Sequence, residues 1–407
     1  MLVSDLDIPF IKMGSTREQQ LENAKLLSKH SWIAKNKIGY TILSYSDNQN
    51  ILKDKRWHTA LGLFAELNPN FTEEFKQKRK NGLLALNGED HLRIKKLIMP
   101  TFSYSNVEKL KPFMRLCLNN IIDSFSSVKE IDIQKEIFDI YPTMIICEIL
   151  GVGQKDLNKF LQWTDFLSTV FDQYNNYTPD YISTMQSNFN LYFLELIEHK
   201  RSNPGEDLLS KLILAEEDGD KLSNEELLML VEVIIASGID TTRSQLGLCL
   251  NELLKNEDKL NLLKQDNSLC PKIIDELIRL DTTLRGTARV ASEDIVYKDI
   301  IFPKGTIVLI NIISSNYDEL YFNNPKKINI ENQNNINKSL SFGAGIHYCL
   351  GAILAKVEIQ EAISLILKRF CNISINGEPK YRPAHVLVNG LQSLPIKFSS
   401  IEQVAKH

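Results

Sequence analysis

The sequence predicts a mainly α protein with small β-sheets. Three observations lead there: long runs at the helical period, a few short β-branched runs between turn residues, and a composition of 43% hydrophobic and 24% charged residues that can fill a substantial core. The helical period runs through 107–124, 156–170, 186–200, 224–255 and 351–370. Strands are expected over 39–44, 295–302 and 306–310, with a hairpin corner at Pro303, Lys304 and Gly305. The Asn-rich stretch 323–337 reads as a solvent-facing loop. The run 224–255 would reach roughly 48 Å as a helix. It is apolar on most faces from Leu227 to Ile235, so it should cross the centre of the protein.

A length of 407 residues allows two or three domains by size alone. The formal net charge of -4 leaves no basic field over the whole surface to hold a nucleic acid. The opening MLVSDLDIPF has no basic-then-apolar pattern. Glu225, Glu226, Glu232, Asp240 and Arg243 interrupt the central run before a membrane span accumulates. The expectation is a cytoplasmic protein without a membrane anchor. Six cysteines lie scattered without CxxC spacing, which argues against a disulfide framework or a multi-cysteine zinc site. Five read as small buried hydrophobes.

Cys349 differs in its neighbours. It sits in SFGAGIHYCLG (341–351), with Gly343, Gly345 and Gly351 around it and an apolar helix directly after. Such a loop can aim backbone N–H groups at the sulfur beside the positive end of a helix, which favours a thiolate. A thiolate is a strong iron ligand, and on a heme it assists O–O cleavage.

A second polar cluster interrupts the central run: Ala236-Ser237-Gly238-Ile239-Asp240-Thr241-Thr242. Thr241 can return its hydroxyl to the Ser237 carbonyl four residues back, bending the helix and opening a groove. A hydroxyl at such a groove and a carboxylate leading toward solvent make a proton relay. The structural alternative is that Asp240 pairs with Arg243 at i,i+3 while Thr241 satisfies its own backbone. Glu276 and Arg279 share a helical face three residues apart, as an ordinary salt bridge would. His91 and Lys95 lie four apart on an expected helix and could bind an anion. Arg289 is one more cation.

From Phe342 to Gly351 the chain matches in full the heme-binding signature FGxGxHxCxG of the cytochrome P450 family, and it resembles that family over nearly its whole length. The resemblance implies one P450 domain over 1–407, heme b as cofactor, and Cys349 as the axial ligand to its iron. It implies that Phe342 packs near the sulfur, that Gly351 closes the signature, and that His347 meets a heme propionate. Asp240 and Thr241 take the places of the family's oxygen-activating pair, with Ser237 departing from the usual Ala or Gly. Glu276 and Arg279 match the family's ExxR brace, but its third partner, an arginine, is missing from FNNPKKINIENQ. His91 and Lys95 fall at the family's HxxxR positions and Arg289 at its strand arginine, all three propionate contacts. Lys95 departs by losing the bidentate fork of arginine.

The family's substrate-surrounding segments place Phe166, Phe171, Ile235, Ala236, Leu284 and Leu391 around a pocket for an apolar guest, with Tyr174 nearby. The activity implied is dioxygen-dependent monooxygenation (hydroxylation, epoxidation or oxidative dealkylation). A separate ferredoxin or flavodoxin with its reductase supplies electrons, docking on a basic patch of Arg93, Lys96, Lys338 and Lys356. A peroxide-driven peroxygenase of the same fold and a non-catalytic heme sensor or carrier are the competing readings.

Overall fold

The structure, a computed structural model, describes residues 1–11, 17–28, 30–66, 71–168, 177–214, 222–331, 339–383 and 388–403. The helices that frame the site are α1 (Tyr45–Lys53), α2 (Gly88–Ile98), α3 (Tyr104–Asp123), α4 (Tyr141–Leu150), α5 (Leu157–Ser168), α6 (Pro179–Ser202), α7 (Asn224–Leu254), α8 (Cys270–Leu280) and α9 (Ala352–Arg369).

Helix α7 is the long central element, 31 residues. It starts at a capping box, in which Ser223 Oγ accepts the Glu226 N–H at 3.1 Å and Glu226 Oε2 accepts the Ser223 N–H at 2.8 Å. Two donors that the first turn leaves open are thereby satisfied. Helices α4, α5, α8 and α9 pack against α7, and α3 packs against α9. Leu227, Val231, Ile235, Ile239, Leu246 and Leu250 carry the buried apolar side of α7 into the main core. Each such side chain stabilises the fold by about 1.5–3 kcal/mol. Helix α6 begins seven residues before the periodic run at 186 because Thr178 caps it, accepting the Tyr181 N–H at 3.2 Å, and Pro179 is tolerated in the first turn.

Strands β1 (Ile33–Lys35), β2 (Tyr40–Ile42), β3 (Trp57–Thr59) and β4 (Gly286–Ala291) join β7 (Ile307–Asn311) in a five-stranded sheet of order β1-β2-β7-β4-β3. The β2–β7 pair is parallel and its neighbours are antiparallel, with Thr59 opposite Arg289 and Arg289 opposite Val308. Residues 295–302, expected as one strand, are instead a hairpin of β5 (Ile295–Tyr297) and β6 (Ile300–Phe302). Lys298 and Asp299 form its tip with φ of 51° and 59°. A two-residue tip needs positive φ at both positions, and here no glycine announces it. The expected corner at Pro303–Gly305 does turn the chain, but it carries it from this hairpin into β7 of the larger sheet.

Of the cysteines, Cys117, Cys147, Cys249 and Cys270 are buried, whereas Cys371 is only half-buried, a correction to its expected place in the core. No helix among the described residues is long and apolar enough to cross a membrane.

Candidate active site

The cysteine loop is shaped by close approach to α1. Gly345 has φ 72°, and a Cβ there would stand 2.3 Å from the Leu52 carbonyl oxygen, so only glycine fits. The Cys349 N–H donates to the Phe342 carbonyl at 2.9 Å and closes the loop. Cys349 is exposed, yet what it faces is a cavity of ≈ 320 Å³ rather than bulk solvent. Burial pushes its thiol up; the Gly351 N–H and the Lys95 ammonium oppose this without overcoming it. The Gly351 N–H and the Lys95 ammonium are the groups that favour a thiolate here, and a metal cation bound to the sulfur would favour it further.

The middle of α7 lines the same cavity. Thr241 Oγ1 donates to the Ser237 carbonyl at 2.5 Å, as the spacing predicts, and Ser237 Oγ donates back to the Val233 carbonyl. Thr283 Oγ1 donates to the Thr241 carbonyl at 3.4 Å, and Gln245 ties the same segment down through the Asp281 carbonyl at 2.7 Å and the Thr283 N–H at 2.9 Å. Gly238 lets α4 approach: a Cβ on it would meet Ile146 Cδ1 at 2.9 Å.

Asp240 is buried and held by two arginines. Arg382 Nη1 reaches its Oδ1 at 2.6 Å, and Arg243 reaches the same oxygen through Nε at 2.9 Å and Nη2 at 2.8 Å. Burial alone would raise the Asp240 carboxyl; Arg382 and Arg243 outweigh it and hold it below the ordinary range. Arg243 continues to Asp165 at 2.8 Å, whose side chain is 59% exposed, so a chain of charges links Asp240 to solvent. The i,i+3 pair and the polar groove thus coexist. Arg382 escaped the sequence reading because it lies 142 residues away and no local pattern marks it.

A cluster of basic groups lines another part of the same cavity: His91, Lys95, Arg289 and His347. The His91 and His347 rings meet at a tilt of 53° with centroids 4.3 Å apart, and Lys95 Nζ donates to the Ile346 carbonyl at 2.6 Å. Arg289 donates to the Ala288 carbonyl at 2.9 Å, and burial pulls it down to about 10. Burial, with Arg289, His91 and Lys95 adding repulsion, lowers His347 to about 3. His91 Nδ1 is buried without a hydrogen-bond partner.

Glu276 and Arg279 form a buried two-pronged pair, Nε to Oε1 and Nη2 to Oε2, both at 2.9 Å. The missing arginine is replaced by backbone. Arg279 Nη1 donates to the carbonyls of Asn316 (2.9 Å) and Pro325 (2.8 Å), Nη2 to that of Lys327 (3.1 Å), and Glu276 Oε2 accepts the Asn329 N–H at 3.0 Å. Asn316 carries the brace forward, accepting the Leu340 N–H at 2.9 Å and donating to Ser341 Oγ at 2.9 Å at the start of the cysteine loop.

Ala236 and Leu284 border the cavity, as do Phe342 and Gly351. Phe166, Ile235 and Leu391 are corrected: each is fully buried away from the cavity lining. Phe166 packs with Phe75 and Tyr181, and Ile235 lies about 100° around the helix from Ala236. Phe171, Tyr174 and Lys338 fall outside the described residues. Leu84, Ile146, Val233 and Val388 line the cavity and were missed. Val233 was findable, since it precedes Ser237 by one helical turn. Of the proposed docking cations, Arg93 is paired with Glu226 and Lys356 with Asp275 (2.7 Å), and Lys96 is engaged as well.

Comparison with known proteins agrees with this geometry. The family model for cytochrome P450 matches residues 42–397. Cytochrome P450 107B1 of Saccharopolyspora erythraea is 32% identical over 337 residues, 82% of this chain and 80% of that protein. The polyketide biosynthesis cytochrome P450 PksS of Bacillus subtilis is 32% identical over 321 residues, 78% of each chain. Its solved structure superposes with a TM-score of 0.86 at 28% identity, covering 96% of this chain and 100% of that one. P450BioI, solved in complex with an acyl carrier protein bearing hexadec-9Z-enoic acid, gives a TM-score of 0.86 at 26% identity over 94% of this chain and 99% of that one. The chain belongs to the cytochrome P450 family and is a monooxygenase of that family.

The family implies a heme, and the residues fit one. A buried basic cluster among whose members no carboxylate lies, an orphan imidazole nitrogen on His91, and a sulfur facing open space all suit an iron-bearing dianion. A Cβ built on Gly351 would meet nothing within 4 Å, so this wall of the cavity stays flat and open.

Proposed function

We propose that the protein inserts one oxygen atom from dioxygen into an apolar small molecule, by hydroxylation, epoxidation or oxidative dealkylation, with electrons from a separate ferredoxin or flavodoxin and its reductase. The observation that carries this reading is one cavity lined by Cys349 and by Asp240 and Thr241. Heme b, bound there, supplies dioxygen binding and its reductive activation.

Cys349 Sγ is the proposed ligand to the iron, with Phe342 and Gly351 beside it. His91, Lys95, Arg289 and His347 would hold the two propionates, whose negative charge opposes the lowering that burial imposes on Arg289 and His347. Glu276 and Arg279 fix the loop from behind through Asn316. Thr241 Oγ1 is the proton-bearing group assigned to the reacting site, and its bond to the Ser237 carbonyl orients its hydroxyl. Asp240, held ionised through Oδ1 by Arg382 and Arg243, would take up a proton from the solvent side and relay it toward Thr241. The lining by Leu84, Ile146, Val233, Ala236, Leu284 and Val388 supports an apolar guest. All of this lies within one P450 domain over 1–407, which we place in the cytoplasm.

The test is product analysis after screening apolar compounds with ferredoxin, reductase and isotopically labelled dioxygen. One labelled oxygen atom in the product is expected. Equal turnover with hydrogen peroxide alone, insensitive to Thr241→Ala, would instead establish a peroxygenase, and binding without any product would establish a carrier.

A further inference from the structure

Beside the main cavity lies a smaller chamber of ≈ 40 Å³, and the two share Leu61, Leu84, Val233 and Ala236 in their walls. Its charged lining residues are Lys78, Arg79 and Glu232. Glu232, on α7, is 2% exposed and carries both cations: Lys78 Nζ stands 2.6 Å from Oε1 and Arg79 Nη1 3.2 Å from Oε2. Gln186 Nε2 also donates to Oε1, at 2.7 Å. Among the described residues, two cations on one carboxylate leave one positive charge without a counterion, in a place where burial makes that costly.

The imbalance has an address. Arg79 Nε and Nη2 are buried and have no hydrogen-bond partner, while its guanidinium lies 4.6 Å over the Phe75 ring. The Nε/Nη2 edge is the one that takes a carboxylate side-on, and Arg279 uses that same edge for Glu276 at 2.9 Å on both prongs. On Arg79 that edge has no partner, and Arg79 lines the chamber whose wall residues are shared with the main cavity.

We propose that Arg79 grips the carboxylate of an elongated apolar substrate whose far end is oxidised in the main cavity. A net charge of one, and a chamber this small, suit a monoanionic carboxylate better than a phosphate dianion. Glu232 precedes Asp240 by eight residues, so the gripped end lies roughly 12 Å along the helix from Asp240. At that distance the substrate carboxylate takes no part in proton transfer at Asp240 and Thr241; it sets which carbon reaches them. The assignment rests on reading the main cavity as the substrate chamber, and it names the substrate class: apolar chains ending in a carboxylic acid.

The experiment is calorimetric titration of the heme-loaded protein with dodecanoic acid and with its methyl ester near neutral pH. The acid is expected to bind about tenfold to a hundredfold tighter than the ester, the range of charge-assisted hydrogen bonds. Arg79→Gln should erase that preference by weakening the acid alone. Glu232→Gln should tighten the acid, since it removes the competing carboxylate, and this opposite sign separates the effect from a folding defect. Equal binding of acid and ester, no binding of the acid, or a preference that survives Arg79→Gln overturns the assignment. If the ester still binds and is oxidised, the monooxygenase reading stands and only the carboxylate grip falls.

Discussion

Replacing Arg279 by lysine tests the brace behind the cysteine loop. Arg279 is 1% exposed and uses all five of its N–H donors, two on Glu276 and three on the carbonyls of Asn316, Pro325 and Lys327. Lysine offers three donors from one nitrogen, so at least two of these acceptors lose their partner in a site closed to water. Each buried group left unsatisfied costs about 1–3 kcal/mol, which gives roughly 2–6 kcal/mol. Breaking a buried ion pair falls in the same range, about 3–5 kcal/mol. Against a typical stability of about 5–15 kcal/mol, Arg279→Lys should remove a measurable share, from roughly an eighth upward. Urea unfolding of wild type, Arg279→Lys, Glu276→Leu and the Glu276→Leu/Arg279→Met double variant, followed by circular dichroism, measures this. The double variant should be more stable than Glu276→Leu alone, because it leaves no unpaired buried charge. A loss under about 1 kcal/mol for Arg279→Lys, within the range of ordinary surface changes, would refute the claim that backbone carbonyls stand in for the missing arginine.

Thr241→Val keeps the shape of the groove and removes its hydroxyl. Product formation should fall by about a hundredfold, the lower end of what a positioned proton donor supplies, while calorimetric binding of the substrate is unchanged. Arg382→Met removes one of the two cations that hold Asp240 below its ordinary value of 3.8. A carboxyl depressed in the folded state adds stability that is fully present above its unfolded pKa and is lost as pH falls through the folded one. The variant should therefore be less stable than wild type at neutral pH and should converge with it in acid, as read by unfolding midpoints across pH. Ala236→Phe adds bulk at a wall residue shared by the two chambers, so bulky ligands should lose about 1–3 kcal/mol of affinity in calorimetry while small ones bind as before.

Much of the site was legible in the sequence because its spacing is local. The cysteine loop, the Thr241 hydroxyl reaching back four residues, and the i,i+3 pairs at Asp240–Arg243 and Glu276–Arg279 all follow from helical geometry. Contacts between distant segments were not legible. Arg382 reaches Asp240, and the 322–329 stretch supplies carbonyls and an N–H where a side chain was sought; backbone partners leave no trace in residue type. The hairpin at 298–299 hid because Lys and Asp occupy positions that usually advertise themselves with glycine. Pocket membership was least readable. One residue of phase on α7 separates Ala236 in the cavity wall from Ile235 in the core, and both are apolar.

The central claim is that Cys349 is the ligand that commits this cavity to oxygen chemistry. Its most direct measurement is the absorption spectrum of the reduced, carbon monoxide-treated holoprotein, beside that of Cys349→His. Wild type should show the red-shifted Soret band of a thiolate-bound iron, and the variant should retain heme but lose that band. A wild-type spectrum without the band, or a variant spectrum that keeps it, would contradict the account.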